Sequence, residues 1–247
     1  MLNEQTIEKL TELRLRPMAK AFREQLGDPA MNALSFEDRF GLIVDRQYSD
    51  RKSSHIARLT KSATFKFPGA CVENIEYHAD RNLSHEQILQ LATGKYLKGK
   101  NNIIVMGASG AGKSYMGCAF GISACRQFKK TKYIRLPELL DDLNIARDEG
   151  TYKKVIASYK KYALLILDEW LLTPLSKPQT TDVFEIVESR YGEASTIFIA
   201  QSAPAGWHPM IGESRIADAI LDRIVHNSHE IMIEGDISMR ERLGLRD

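Results

Sequence analysis

The sequence predicts an α/β fold, a mostly parallel sheet covered by helices on both faces and preceded by a small all-helical domain. Three observations carry this prediction. Five short apolar runs rich in β-formers alternate with helical stretches in the second part of the chain. A glycine-rich segment, "GASGAGKS" at 107–114, separates the first of these runs from a helix. The chain before residue 70 has helical rather than strand periodicity.

In "TIEKLTELRLRPMAKAFREQL" the apolar residues Ile7, Leu10, Leu13, Leu15, Met18 and Phe22 mostly recur at helical intervals, so they share a face. "SFEDRFGLIVDRQYSDRK" opens a further helix, with Ser35 as N-cap and Asp38 three residues on. "KFPGACVENIEYHADRNLS" holds Pro68 and Gly69 and sustains no periodicity. The expected division is therefore a helical domain at 1–70, a linker at 71–82 and an α/β domain at 83–247. That second domain begins with a capped helix, "LSHEQILQLATG". Its strands are expected in "NIIVMG", "KYIRL", "ALLILDE", "STIFIAQS" and "HEIMIEG". Between the second and third lie two helical stretches, "PELLDDLNIARDEG" and "TYKKVIASYKKY", where a simple crossover needs one.

Composition removes several classes. No run of about 18 apolar residues exists, and "MLNEQTIEKL" is not a basic-then-apolar leader, so a cytoplasmic protein without a membrane span is expected. Cys71, Cys118 and Cys125 form no metal-ligand pair. The net charge of +2 announces no nucleic-acid binder, but its distribution is uneven. From Arg46 to Lys66 there are six basic residues against the single acid Asp50.

The segment Gly107, Ala108, Ser109, Gly110, Ala111, Gly112, Lys113 and Ser114 fits G-x-x-x-x-G-K-S, and it lies between a strand and a helix. Glycines let successive backbone N–H groups converge on phosphates, and the helix N-terminus, with Tyr115 in its first turn, favours negative charge. Lys113 is expected to reach the β and γ phosphates, and Ser114 to ligate Mg²⁺. In "ALLILDEW" a buried strand ends in two carboxylates. Asp168 suits the water shell of Mg²⁺, and Glu169 suits orientation and deprotonation of an attacking water. Gln201 ends the next strand. Arg223 closes the amphipathic helix "RIADAILDRIVH", either as a surface ion-pair partner or as an arginine supplied to a neighbouring subunit's nucleotide.

These residues resemble the IstB family, ATPases that assist insertion-sequence transposition and are related to DnaC helicase loaders within the AAA+ superfamily. The resemblance runs through "LATGKYLKGKNNIIVMGASGAGKS", "LLILDEW", "ESRYGEASTIFIAQSAPAGW" and "IADAILDRIVHNSHEIMIEGDISMR". It implies strand order 5-1-4-3-2, ATP as the nucleotide, and a site shared between subunits of a homo-oligomer assembled on DNA. It gives Gln201 the sensor position, where relatives more often show Asn, and it implies a transposase as partner. Most AAA+ modules carry a helical lid after the last strand, whereas about a dozen residues follow "HEIMIEG" here. No C-terminal lid is therefore expected, and Arg240 is the candidate for a lid arginine's contact.

Duplex DNA is the expected ligand of the helical domain, gripped through Arg46, Arg51, Lys52, Arg58 and Lys61. Lys153, Lys154, Lys160 and Lys161 of the two-helix insertion are either a second contact or a solvated helix face. A helicase loader acting on single strands, a small-molecule kinase and a non-hydrolysing adaptor are the rival readings.

Overall fold

The computed structural model describes residues 2–212, 215–235, 237–242 and 244. The chain forms two compact units, Met1–Arg58 and Leu59–Asp247. In the first lie α1 (Leu2–Glu12), α2 (Arg16–Gly27) and most of α3 (Phe36–Ser62). Ser35 caps α3 as its sequence predicts: Asp38 N–H donates to Ser35 Oγ at 3.1 Å.

The second unit contains α4 (His85–Ala92), α5 (Lys95–Gly99), β1 (Asn102–Gly107), α6 (Lys113–Arg126) and β2 (Thr131–Arg135). It continues with α7 (Leu136–Asp148), α8 (Tyr152–Lys160), β3 (Leu164–Trp170), α9 (Lys177–Arg190) and β4 (Ser195–Ala200). It ends with α10 (His208–Ile211), α11 (Arg215–Val225), β5 (Ser228–Ile233) and α12 (Met239–Arg242). The five strands pair in the order β2-β3-β4-β1-β5, all parallel.

The central strands are apolar throughout because both faces are covered. Alternate residues feed separate cores. Ile103, Val105, Ile166 and Ile199 pack on the α6 side, and Ile104, Met106, Leu165 and Phe198 pack on the α7 and α9 side. The stretch 71–82, expected as a linker, contributes to the first of these cores. Val72 and Ile75 are buried there with Ala63, Phe65 and Ala70, and short 3-10 turns run at Val72–Asn74 and Ala79–Arg81.

The two-helix insertion is clasped to α9. Arg147 and the Tyr152 hydroxyl both donate to Asp182 Oδ1, at 2.5 and 2.7 Å, and Asp182 is 2% exposed. At the other end of α9, Arg190 is buried and donates to Thr196 Oγ1 and to the Tyr159, Tyr162 and Ser195 carbonyls. Burial pushes its pKa down to about 10. Among the described residues no helix is long and apolar enough to cross a membrane.

Candidate nucleotide site

The loop 107–112 leaves β1 at the carboxyl end of the sheet and delivers Lys113 and Ser114 to the first turn of α6. Its glycines answer to space as well as to backbone angle. A Cβ at Gly107, φ +148°, would stand 2.4 Å from the Ile233 carbonyl oxygen, and one at Gly110, φ +79°, would stand 2.7 Å from Ser238 Cβ. Lys113 is 9% exposed, and its ammonium donates to the Gly107 and Ala108 carbonyls at 2.8 and 2.6 Å. Burial lowers its pKa while the Asp168 carboxylate works against that shift. The Tyr115 ring lies against Phe67, and its hydroxyl accepts the Cys71 N–H at 3.4 Å.

Asp168 is 3% exposed at the end of β3. Its Oδ1 accepts the Glu169 N–H at 2.8 Å and its Oδ2 accepts the Tyr133 hydroxyl at 2.5 Å. The β3–β4 register shifts between Leu167 and Trp170, a bulge spanning both acidic residues. Glu169 there adopts φ +56°, a left-handed conformation that non-glycine residues hold at some cost, and one that clusters at functional sites. Its carboxylate lies 3.6 Å from Arg135, which ends β2 directly opposite Asp168 and also pairs with Glu138 at 2.6 Å.

Gln201 follows β4, which runs between β1 and β3. Ala200 pairs with Met106 on one side and Trp170 on the other, so Gln201 emerges between the loop and the two carboxylates. Arg223 is elsewhere. It donates to Glu188 and to the Ala219 carbonyl, its guanidinium lies 5.4 Å from the Phe184 ring centre, and it shares a hollow with Asn102, Thr196 and Asn227. Those three residues mark the starts of β1, β4 and β5, the edge of the sheet opposite the phosphate loop.

Several neighbours of the loop escaped the sequence reading. Arg81, buried, donates to the Ala111 carbonyl at 2.8 Å and to the Glu76 carbonyl. Met239 N–H donates to the Gly110 carbonyl at 2.9 Å, Glu234 N–H to the Arg81 carbonyl at 3.2 Å, and Arg242 pairs with Asp80. The residues before α4 and after β5 thus meet beside the phosphate loop. Tyr133 could be found only through the pairing of β2 with β3, which no local pattern encodes. Arg240 lies on α12, and Asp236 of "GDISMR" is outside the described residues.

A Ser hydroxyl and a buried carboxylate are hard oxygen donors of the kind Mg²⁺ takes. No cluster of three or more His, Cys, Asp or Glu residues that could hold a metal exists among the described residues.

Of the expected DNA contacts, Arg46, Arg51, Lys52, Arg58 and Lys61 all lie on α3, and Lys153, Lys154, Lys160 and Lys161 stand exposed on or just after α8.

A five-stranded parallel sheet in this order, with a phosphate loop after β1 and paired carboxylates at the end of β3, defines a P-loop nucleotide-binding module of the AAA+ type. The chain belongs to the IstB-like ATP binding protein family, whose pattern it matches over residues 8–246. It is 36% identical to an insertion sequence ATP-binding protein of Sinorhizobium fredii over 242 residues, 98% of each chain. It is also 36% identical to the IS1162 ATP-binding protein of Pseudomonas fluorescens over 201 residues, 81% of this chain and 87% of that one. The fold resembles the DnaC helicase loader, with TM-score 0.55 and 17% identity, covering 67% of this chain and 97% of that chain. It also resembles AMPPCP-bound DnaA from Aquifex aeolicus, with TM-score 0.59 and 21% identity, covering 71% of this chain and 53% of that one.

Proposed function

We propose that the protein is a cytoplasmic, Mg²⁺-dependent ATPase that assembles as a homo-oligomer on duplex DNA and, in its ATP-bound form, recruits or activates a transposase. The observation that carries this reading is the division of the machinery. The phosphate loop, Asp168, Glu169 and Gln201 gather at the carboxyl end of the sheet, and Arg223 stands at the opposite edge. A site that needs Arg223 therefore needs it from a second copy.

In this mechanism the loop N–H groups and Lys113 bind the phosphates, and Ser114 and Asp168 would hold Mg²⁺, which when bound neutralises phosphate charge. Gln201 orients a water and Glu169 accepts its proton as the water oxygen attacks the γ phosphorus. The bond to the β,γ-bridging oxygen breaks, and ADP leaves. Arg223 of the neighbouring copy stabilises the charge that develops. The transposition assignment draws on the relatives, which are insertion sequence ATP-binding proteins by name.

Phosphate release measured with duplex DNA, with single-stranded DNA and without DNA tests the reading. Turnover stimulated most by duplex supports it, and a single-strand preference favours a helicase loader instead. Absence of phosphate release in all three conditions overturns the ATPase.

A further inference from the structure

Within the helical unit, the turn joining α1 to α2 and one face of α3 enclose a cleft of about 810 Å³. Six cations line it: Arg14, Arg16, Lys20, Arg46, Arg51 and Arg58. Residues 1–58 as a whole carry ten lysines and arginines against nine acids. The cleft collects six of those ten cations and one of the nine acids, Asp50, so a nearly neutral unit has sorted its positive charge into one concavity.

Helical spacing does the sorting on α3, where Gln47, Arg51, Ser54 and Arg58 fall at i, i+4, i+7 and i+11, along one face. From the other side, the α1–α2 turn presents Arg14 and Arg16. Leu15 N–H donates to the Leu10 carbonyl at 2.8 Å, and Arg14 takes φ +61°, where a helix end usually has glycine.

Gln47 lines the cleft yet is only 8% exposed, and its amide oxygen has no hydrogen-bond partner among the described residues. That oxygen is an acceptor and suits an N–H or O–H donor, so the anion-binding character of the cleft comes from its cations. Lys52, by contrast, lies 4.3 Å over the Tyr48 ring and does not line the cleft.

We infer that this cleft seats the phosphodiester backbone of duplex DNA, with Arg14, Arg16 and Lys20 completing a grip that Arg46, Arg51 and Arg58 begin. The inference rests on the DNA-binding reading above and gives it a site. Length favours a polymer over a compact anion: Arg46 to Arg58 span about 18 Å of helix. A DNA strand offers a phosphate every ~3.4 Å of its axis, so several fall within that reach. Guanidinium contacts to phosphates carry no base information, so the grip is tolerant of sequence and steeply dependent on salt.

The test is the slope of log affinity against log salt for the full-length protein and a labelled duplex. Three triple variants are compared with wild type: Arg14→Gln/Arg16→Gln/Arg51→Gln in the cleft, Lys9→Gln/Arg23→Gln/Arg39→Gln outside it, and Lys153→Gln/Lys154→Gln/Lys160→Gln in the insertion. Each removes the same charge. The cleft variant is expected to flatten the slope by about 2 to 3, and the outside variant to leave it nearly unchanged. Equal flattening by those two makes net charge the cause and overturns the cleft, with DNA binding intact. An unchanged slope in the cleft variant, with binding lost in the insertion variant, also overturns it while sparing the DNA reading. Failure of the wild type to bind duplex at low salt overturns both. Should the cleft triple not fold by circular dichroism, Arg51→Gln alone is expected to lower the slope by roughly 0.9, and no change in it refutes the inference.

Discussion

Both oxygens of Asp168 are engaged by the protein itself, one by the Glu169 N–H and the other by the Tyr133 hydroxyl. Tyr133 therefore positions the carboxylate that we assign to Mg²⁺. Outer-shell partners of this kind are worth about 10–100-fold in metal affinity. Tyr133→Phe is expected to raise the Mg²⁺ concentration needed for half-maximal nucleotide binding by about tenfold. Nucleotide affinity in EDTA should stay as in wild type, and an unchanged Mg²⁺ dependence would reduce Tyr133 to packing. Lys113→Ala should weaken nucleotide binding by about 10- to 100-fold, the worth of a charge-assisted hydrogen bond, as titration calorimetry would measure. Glu169→Gln should bind ATP normally and slow phosphate release by about 10²–10⁴-fold. The candidates Lys113, Asp168 and Glu169 can be named from the sequence because their patterns are local to a loop and a strand end. Tyr133 and Arg81 cannot. Tyr133 reaches Asp168 through the pairing of two strands, and Arg81 reaches the Ala111 carbonyl across 30 residues of chain.

Two clasps hold the elements that carry these residues. Arg190 ties the end of α9 to the start of β4 and to the chain entering β3 through four hydrogen bonds. Arg190→Ala leaves buried acceptors without donors, at about 1–3 kcal/mol for each unsatisfied group, so a loss above ~3 kcal/mol is expected in urea denaturation. Asp182→Ala frees the insertion from α9 and should cost about 1–3 kcal/mol in the same assay, less because Arg147 can reach solvent. The strands read well because buried parallel strands are continuous apolar runs. "KYIRL" ended one residue late, since Leu136 opens α7, and "STIFIAQS" ran two residues past Ala200. The stretch 71–82 looked like a linker because its turns bury Val72 and Ile75 at no regular interval, and periodicity is the signal by which sequence reveals burial.

For the whole molecule, the separation of Arg223 from the phosphate loop turns a residue question into an assembly question. Arg223→Ala should bind ATP as wild type does and lose about 10³-fold or more in turnover. Mixing it with Lys113→Ala should restore part of the activity, because an intact loop in one copy can then meet an intact Arg223 in another. No recovery at any mixing ratio would show that the pair does not act between subunits. In the sequence only family likeness implies such a shared site, since neither composition nor spacing says that a side chain serves a neighbour. The most direct measurement is electron microscopy of the protein with duplex DNA and a non-hydrolysable ATP analogue. The account predicts a ring or helical assembly on the duplex, with Arg223 of one copy facing the phosphate loop of the next. Monomers on DNA, or an interface that leaves Arg223 remote from every nucleotide, would contradict it.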